Sequence, residues 1–337
     1  MMLGEVAAMA YLKLAAALIF AAGLMIYPAE CAAAVREAMA NWAESVAPAL
    51  FPFAAVMPFL TCAEARRAYD RLFGYVVRKL FRLPGTAASA IVVGLACGSP
   101  GGAMAVARVA RGEGLTKGQA TRLAGIACGV SPVFALSVMG VAIYGSAAAG
   151  WRLVIAQLVS QLAVGVIFRN LYNNDEPVAR HAGGEEKGAI MGAVLAVLRV
   201  CGYMAAFSVA ITLAEKLIGP YIWGIAAFID LPTGAVKCTN DTVAAGALGF
   251  AGLCIAFQNM AVLEDMVKPL VYMIQKAVGA VICAGVYAAM NMRGYEGVLR
   301  AFVRHGRIYE VNLLILSAIL IPCLAIFLWK KPKKHFS

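Results

Sequence analysis

Charge is scarce in this chain. Only 14% of its 337 residues are Asp, Glu, Lys or Arg, whereas 62% are hydrophobic and the mean hydropathy is +0.80. A soluble domain carries about 25% charged residues, so the composition excludes an ordinary soluble fold. Several apolar stretches reach the ~20 residues needed to cross a bilayer. The composition therefore predicts an all-α polytopic membrane protein.

The chain also lacks the short motifs that carry enzymatic chemistry. It contains no Walker motif, no His-Glu-x-x-His pair and no Gly-x-Ser-x-Gly nucleophile elbow, which argues against an ATPase or a hydrolase. The three histidines have no partner at metal-ligand spacing, and the nine cysteines include no Cys-x-x-Cys pair. We therefore expect no enzymatic activity, no metal site and no other cofactor.

The positive net charge points to a membrane and not to nucleic acid. The chain has 29 basic and 18 acidic residues, a formal net charge of +11. The basic residues are concentrated in short links at 64–82, 108–122 and 291–307, between apolar runs, and no basic and aromatic stripe occurs. Short basic links are typical of the cytoplasmic side of a membrane protein. We predict a lipid bilayer as partner, and no nucleic acid.

Two apolar runs in the first half are interrupted by helix-breaking residues, at 98–102 (Gly-Ser-Pro-Gly-Gly) and at 129–132 (Gly-Val-Ser-Pro). Pro removes a backbone donor, and Gly costs about 1 kcal/mol inside a helix. Broken backbone is tolerated at membrane depth only where it is buried in protein or lines a cavity. Because paired broken segments mark the binding sites of secondary transporters, the pattern predicts a transporter.

The spacing of these features predicts two inverted membrane repeats, each with about three transmembrane helices and one broken re-entrant hairpin. The predicted segments are a first repeat (1–172) with a hairpin at 85–110 and a broken helix at 119–144, a polar linker (173–188), a second repeat (189–329) with a hairpin at 242–262, and a basic tail (330–337).

Two other segments of the first half carry expectations of their own. Three prolines within 48–58 predict an irregular or re-entrant piece packed inside the bundle, because each proline removes a helical hydrogen bond. Gln157, Ser160 and Gln161 lie on a predicted crossing, where polar side chains usually join one membrane helix to another.

At the broken segments the sequence resembles the YlbJ family of sporulation integral membrane proteins. In that family a Gly-x-Pro-x-Gly hairpin precedes a Leu-Thr-x-x-Glu-Ala-x-Arg-Leu link and an Asn-Pro-Leu-Phe break. The corresponding segments here are 99–102, 115–123 and 131–134. GFAGLCIAFQ at 249–258 is similar to a motif in the family's second half, and Asp230 and Gly234 lie where an acidic residue and a glycine precede that motif.

The resemblance implies a transporter of a small organic anion. Proteins of this family are implicated in moving dipicolinic acid from mother cell to forespore, and they lie in the outer forespore membrane of sporulating bacteria. Two alternatives stay open: a nucleoside or metabolite transporter, because the wider group has nucleoside-recognition Gate domains, and a non-transporting membrane scaffold of sporulation. Ser131, Ala256 and Gln119 replace the family's Asn, His and Glu. If the Asn or the His contacts substrate in relatives, we expect a different substrate or affinity here.

We predict that substrate binds where the broken segments meet. A helix start offers backbone N–H groups and a positive dipole end, which suit a carboxylate. The candidate substrate-binding residues are Gly98, Ser99, Pro100, Gly101, Gly102, Ser131, Pro132, Gln258 and Asn259, and the candidate charge partners are Arg108, Asp230 and Lys237. Each has a structural alternative. The polar side chains would satisfy broken backbone, Arg108 would be a positive-inside residue, and Asp230 and Lys237 would neutralise each other.

Overall fold

The computed structural model describes residues 2–171, 176–179, 189–236, 238 and 240–292. Most of the predicted linker 173–188, Lys237, most of the basic link 291–307, the last predicted crossing and the tail 330–337 lie outside the described residues. Within the described ranges the chain consists of helices and short turns, with no β-strand.

The helices are named here in chain order. They are α1 (Met2–Ile26), α2 (Pro28–Asn41), α3 (Ala47–Leu60), α4 (Ala63–Phe81), α5 (Ala88–Cys97), α6 (Gly101–Glu113), α7 (Lys117–Ala127), α8 (Ala147–Ile167), α9 (Ala189–Ile218), α10 (Ala226–Ile229), α11 (Leu231–Ala235), α12 (Asp241–Phe250), α13 (Gly252–Leu263) and α14 (Pro269–Met292). Two π-helical segments, Trp42–Val46 and Phe134–Ile143, and three 3₁₀ segments, Gly85–Ala87, Gly219–Gly224 and Glu264–Met266, complete the described elements.

Four described segments are long and apolar enough to cross a membrane, and the number rises to six if each of two bent helix pairs counts as one span. The four are Ala147–Ile167, Ile190–Ile218, Asp241–Met266 and Pro269–Asn291. The bent pairs turn by 103° between α1 and α2 and by 106° between α4 and α5. The chain is thus an all-α integral membrane protein with several spans, as predicted. The inverted relation of its halves stays a prediction.

The helices pack in two groups. In one group α9 packs on α2 and α3, and hydrogen bonds from Trp42 Nε1 to the Val197 carbonyl (3.0 Å) and from Ser208 Oγ to the Ala34 carbonyl (3.2 Å) join them. In the other group α14 packs on α8 and α12, and α5, α6 and α7 share a buried core with α4. Helix α13 contacts both groups, through α9 and through α6.

The proline-rich segment differs from the prediction. It forms a helix, α3, in place of an irregular or re-entrant piece. Pro48 lies in the first turn, where no intrahelical donor is needed. Pro52 and Pro58 lie inside the helix, and each removes one hydrogen bond. Packing of α3 against α9 stabilises the remaining turns, an effect that local propensity does not report.

The second predicted hairpin, at 242–262, is also different in the structure. An interruption is present, with φ of +70° at Ala251 and +75° at Gly252. However, α12 and α13 together form one candidate span, Asp241–Met266. No proline occurs in this break, and only two consecutive residues leave the helical backbone, so helix resumes at once. The first break differs because Gly98, Ser99 and Pro100 separate α5 from α6 and the two helices pack on each other.

Close packing of α6 against α7 depends on a glycine. A Cβ added at Gly102 would overlap the Ala127 carbonyl oxygen, whereas a Cβ at Gly202 in α9 would meet no atom within 4 Å. We expect Gly102→Ala to lower the thermal unfolding midpoint of the detergent-solubilised protein, because backbone must shift to accept the methyl group. Gly202→Ala is the matched control and should leave the midpoint unchanged or raise it, since Ala favours a helix interior by about 1 kcal/mol. Equal midpoints for both variants would contradict this packing.

Candidate functional site

The two breaks of the first half lie side by side. The Ser99 N–H of the first break donates to the Gly129 carbonyl of the second at 2.7 Å. Gly98 has a φ of +67°, and a Cβ there would overlap the backbone of Ser131. This position therefore requires glycine both for its backbone conformation and for the close approach. Segments about 30 residues apart in sequence thus form one irregular region.

Side chains from α8 and α14 satisfy the carbonyl groups that the second break leaves without helical partners. Gln157 Nε2 donates to the Val130 carbonyl at 2.6 Å, and Gln161 Nε2 donates to the Ile126 carbonyl at 3.0 Å. Lys276 Nζ, buried in α14, donates to the carbonyl of the residue that follows α7, Cys128. These bonds meet the requirement that buried backbone polar groups be paired.

The polar residues of the predicted crossing 151–172 act as expected, by joining helices. In addition to the two glutamine contacts, Ser160 Oγ donates to the Gly279 carbonyl at 2.7 Å and so links α8 to α14. Ser160, Gln157 and Gln161 are all buried. Their hydrogen bonds end on backbone carbonyls of neighbouring segments, which is the usual role of such side chains in membrane bundles.

Asn259 connects the first break to the second half of the chain. Its Nδ2 donates to Ser99 Oγ at 3.0 Å and to Tyr272 Oη at 2.9 Å. Both Asn259 and Tyr272 are fully buried. The side chain therefore holds α13, α14 and the first break together, and the structure favours a structural role for it.

Four of the predicted site residues line one cavity, which we call the break cavity. They are Ser99, Ser131, Asp230 and Gln258. Its volume is about 70 Å³, below the roughly 300–1,000 Å³ of most small-molecule pockets. Apolar residues of α3 and α9 form the opposite wall. In this conformation the break cavity is too small for a typical small-molecule ligand, and binding of such a solute requires the walls to separate.

The polar groups of the break cavity are mostly acceptors or hydroxyls. Asp230 is 1% exposed; its Oδ2 accepts from Thr233 Oγ1 at 2.6 Å, and its Oδ1 has no hydrogen-bond partner among the described residues. Gln258 Nε2 donates to a sulfur atom, Cys254 Sγ, at 3.1 Å. No basic side chain is among the residues that line the break cavity. The site therefore offers hydrogen bonds and a buried carboxyl group to a polar solute.

The other predicted site residues have different surroundings. Gly101, Gly102 and Pro132 are buried where helices begin and do not line the break cavity. Backbone donors at these helix starts are already used: Gly102 N–H donates to the Gly98 carbonyl at 2.7 Å, and Phe134 N–H donates to Ser131 Oγ at 3.1 Å. These two N–H groups are therefore not free to bind a solute in this conformation, while substrate binding at the helix starts as a whole stays a prediction.

Three other residues of the predicted site, Pro100, Arg108 and Lys237, lie apart from the break cavity or outside the described residues. Pro100 precedes α6 and is buried outside the break cavity. Arg108 lines a different cavity, between α6, α9 and α13. Lys237 lies outside the described residues, so its predicted pairing with Asp230 stays a prediction. In the described chain, Asp230 instead caps α11 through Thr233.

Two charged residues of this region were not predicted from the sequence. Lys276 lies in the middle of the apolar run at 267–290, and Arg199 lies in the apolar run at 189–217. Charged residues inside membrane spans are rare and usually face the bundle interior or a water-filled cavity. A search for single charges within apolar runs would have found both.

These observations define a class: an integral membrane protein of interrupted helices whose breaks meet at a mostly apolar cavity that carries a few polar side chains. The chain is 28% identical over 159 residues to the sporulation integral membrane protein YlbJ of Bacillus subtilis (strain 168), which confirms the resemblance to YlbJ-type proteins. The match covers 47% of this chain and 39% of the relative. No protein-family profile matches the chain, and no solved structure matches it.

Two adjacent residues of α13, Gln258 and Asn259, allow a structural role in this site to be distinguished from a substrate-binding role. Asn259→Leu leaves Ser99 Oγ and Tyr272 Oη without their donor, so we expect a loss of about 1–3 kcal/mol in the free energy of unfolding. Gln258→Leu removes only a contact to sulfur and should leave stability near that of the wild type. Thermal unfolding midpoints in detergent measure both. A larger loss for Gln258→Leu than for Asn259→Leu would contradict these assignments.

Proposed function

We propose that this chain is a bacterial membrane transporter of a small organic anion, dipicolinic acid, which it moves from mother cell to forespore during sporulation. The observation that carries the proposal is the meeting of two helix breaks, with Gln258, around one cavity. Interrupted helices around a central site are typical of secondary transporters. The name of the relative, a sporulation integral membrane protein, supports the setting.

A membrane scaffold accounts less well for this arrangement. A protein that only holds partners together has no need of Gly-Pro breaks, and each broken segment requires buried donors from other helices. Gln157 and Gln161 supply such donors here. Their presence supports a site for which irregular backbone is necessary. Outer forespore membrane localisation follows from the proposed role and is part of the same proposal.

One observation favours a second candidate, transport of a nucleoside or another neutral metabolite. Asp230 is buried at the break cavity with one oxygen unpaired among the described residues. An ionised carboxyl group would repel a dianion but would accept hydrogen bonds from sugar hydroxyls or base amino groups. The Asp230 carboxyl group would therefore affect the two substrate classes in opposite ways, disfavouring a dianion and favouring a nucleoside or another neutral metabolite.

The proposal predicts the effect of removing a cavity side chain. In a sporulating host that lacks its own YlbJ-type protein, this chain should restore the dipicolinic acid content of spores. Gln258→Leu should lower that content about tenfold or more, because a hydrogen bond to a charged ligand contributes about 1.5–3 kcal/mol. Protein abundance in the membrane fraction should stay unchanged.

Two controls distinguish a loss of transport from a loss of folded protein. Ser208→Ala removes a hydrogen bond within the α2–α9 contact, away from the break cavity, and should preserve dipicolinic acid content. Loss of membrane abundance in step with loss of content in Gln258→Leu would support a structural role. Normal abundance of the wild-type chain without restored content would overturn dipicolinic acid as the substrate.

Asp230→Asn distinguishes the two substrate classes. Asn keeps an oxygen that can accept from Thr233 but removes the negative charge. If dipicolinate is the substrate, we expect its accumulation to be maintained or increased, because a like charge is lost. If a nucleoside is the substrate, uptake of labelled uridine by cells that contain the variant should fall below that of the wild type. Each substrate is measured in the same strains, with membrane abundance as the control.

A further inference from the structure

A second cavity in the described chain is lined by three arginines. This arginine cavity lies between α6, α9 and the end of α13, and its charged residues are Arg108, Arg111, Arg199 and Glu264. Its volume is about 430 Å³, within the roughly 300–1,000 Å³ of small-molecule pockets. The arginine cavity is therefore large enough for a small-molecule ligand, whereas the break cavity in this conformation is too small for one.

The charge of the arginine cavity is positive. Its charged lining residues are three arginines and one glutamate, an excess of two positive charges among them. Arg111 Nη2 forms an ion pair with Glu264 Oε2 at 3.0 Å. Arginine binds carboxylates through two parallel N–H···O bonds. The cavity therefore has the charge and the donor type that a small dianionic dicarboxylate requires.

Arg199 has an unusual position for a surface residue. It lies nine residues beyond Ile190, the start of an apolar candidate span, which is about 14 Å along the helix at 1.5 Å per residue. An arginine at that depth is costly unless it faces a water-filled cavity or a partner. Arg199 lines the arginine cavity, which explains how the span accommodates its charge.

The arginine cavity and the break cavity share two walls. Helix α9 contributes Arg199 to the first and Val200 to the second, and α13 contributes Val262 to the first and Gln258 to the second. On α6, Arg108 lies seven residues, or about 10 Å, from the helix start at the first break. The two cavities are therefore neighbours, and a ligand that leaves the arginine cavity along these helices reaches the break cavity.

We propose that the arginine cavity binds the dianionic dicarboxylate substrate before it reaches the break cavity. This inference rests on the proposed function for the identity of the ligand. It assigns anion recognition to Arg108 and Arg199, while the break cavity supplies hydrogen bonds. Glu264 lowers the positive charge of the arginine cavity by one unit and so weakens the binding of an anion.

Calorimetric titration of the purified full chain with dipicolinate, in an uncharged maltoside detergent, tests the inference. Arg199→Gln and Arg108→Gln should each weaken binding about tenfold or more, since each removes a charge-assisted hydrogen bond. Glu264→Gln should tighten binding about threefold, because it removes a repelling charge. A gain in affinity cannot arise from misfolding. Arg152→Gln is the matched control, because Arg152 binds Asn291 and does not line the cavity.

The remaining outcomes overturn the inference or separate it from the proposed function. Absence of dipicolinate binding to the wild type, or unchanged binding in both arginine variants, would overturn it. Arginine-dependent binding of phosphatidylglycerol without dipicolinate binding would instead identify a lipid headgroup site. Gln258→Leu should lose transport but keep dipicolinate binding. If the wild type restores no dipicolinic acid in spores yet binds dipicolinate through Arg199, the transport proposal fails and the binding site stands.

Discussion

The structure depends on one constraint: backbone groups freed by the two breaks must find partners inside the protein. The first break satisfies one carbonyl of the second directly, from Ser99 to Gly129. Gln157 and Lys276 satisfy two more from α8 and α14. Because each bond requires a donor at a fixed place, the breaks determine how α5 to α8 pack against α14. Interrupted backbone is thus the organising element of this group of helices.

The same constraint divides the polar residues by role. Asn259, Gln157 and Gln161 donate hydrogen bonds to backbone carbonyl groups or to neighbouring side chains. Ser99 and Gln258 line the break cavity, where a solute could meet them. The arginines are separated from this region, since they line a second cavity along α6 and α9. Recognition of an anion and its passage between broken helices therefore need not occur at one place.

Local chemistry explains what could be predicted from the sequence. Clusters of Gly and Pro disfavour a continuous helix, so the breaks and the cavity residues Ser99, Ser131 and Gln258 could be predicted from composition and spacing. Whether a break reverses the chain depends on tertiary packing, which is why 242–262 was predicted as a hairpin and forms one span. The helix through Pro52 is stabilised by α9 in the same way. Lys276 and Arg199 are single charges within apolar runs, a pattern that marks functional positions in membrane spans but belongs to no short motif.

The two walls of the break cavity differ in strength. One wall consists of breaks held by hydrogen bonds from buried side chains. The other is formed by α3 and α9, whose Val200 and Met204 meet Cys254 through apolar contacts. In lipid, apolar contact between helices brings little net gain, because lipid tails are equally apolar. Contacts of this kind hold a wall less firmly than hydrogen bonds do, so α9 is the part of this wall that we expect to separate. Since α9 also carries Arg199, its movement would change both cavities together, which is the coupling that the proposed transport requires.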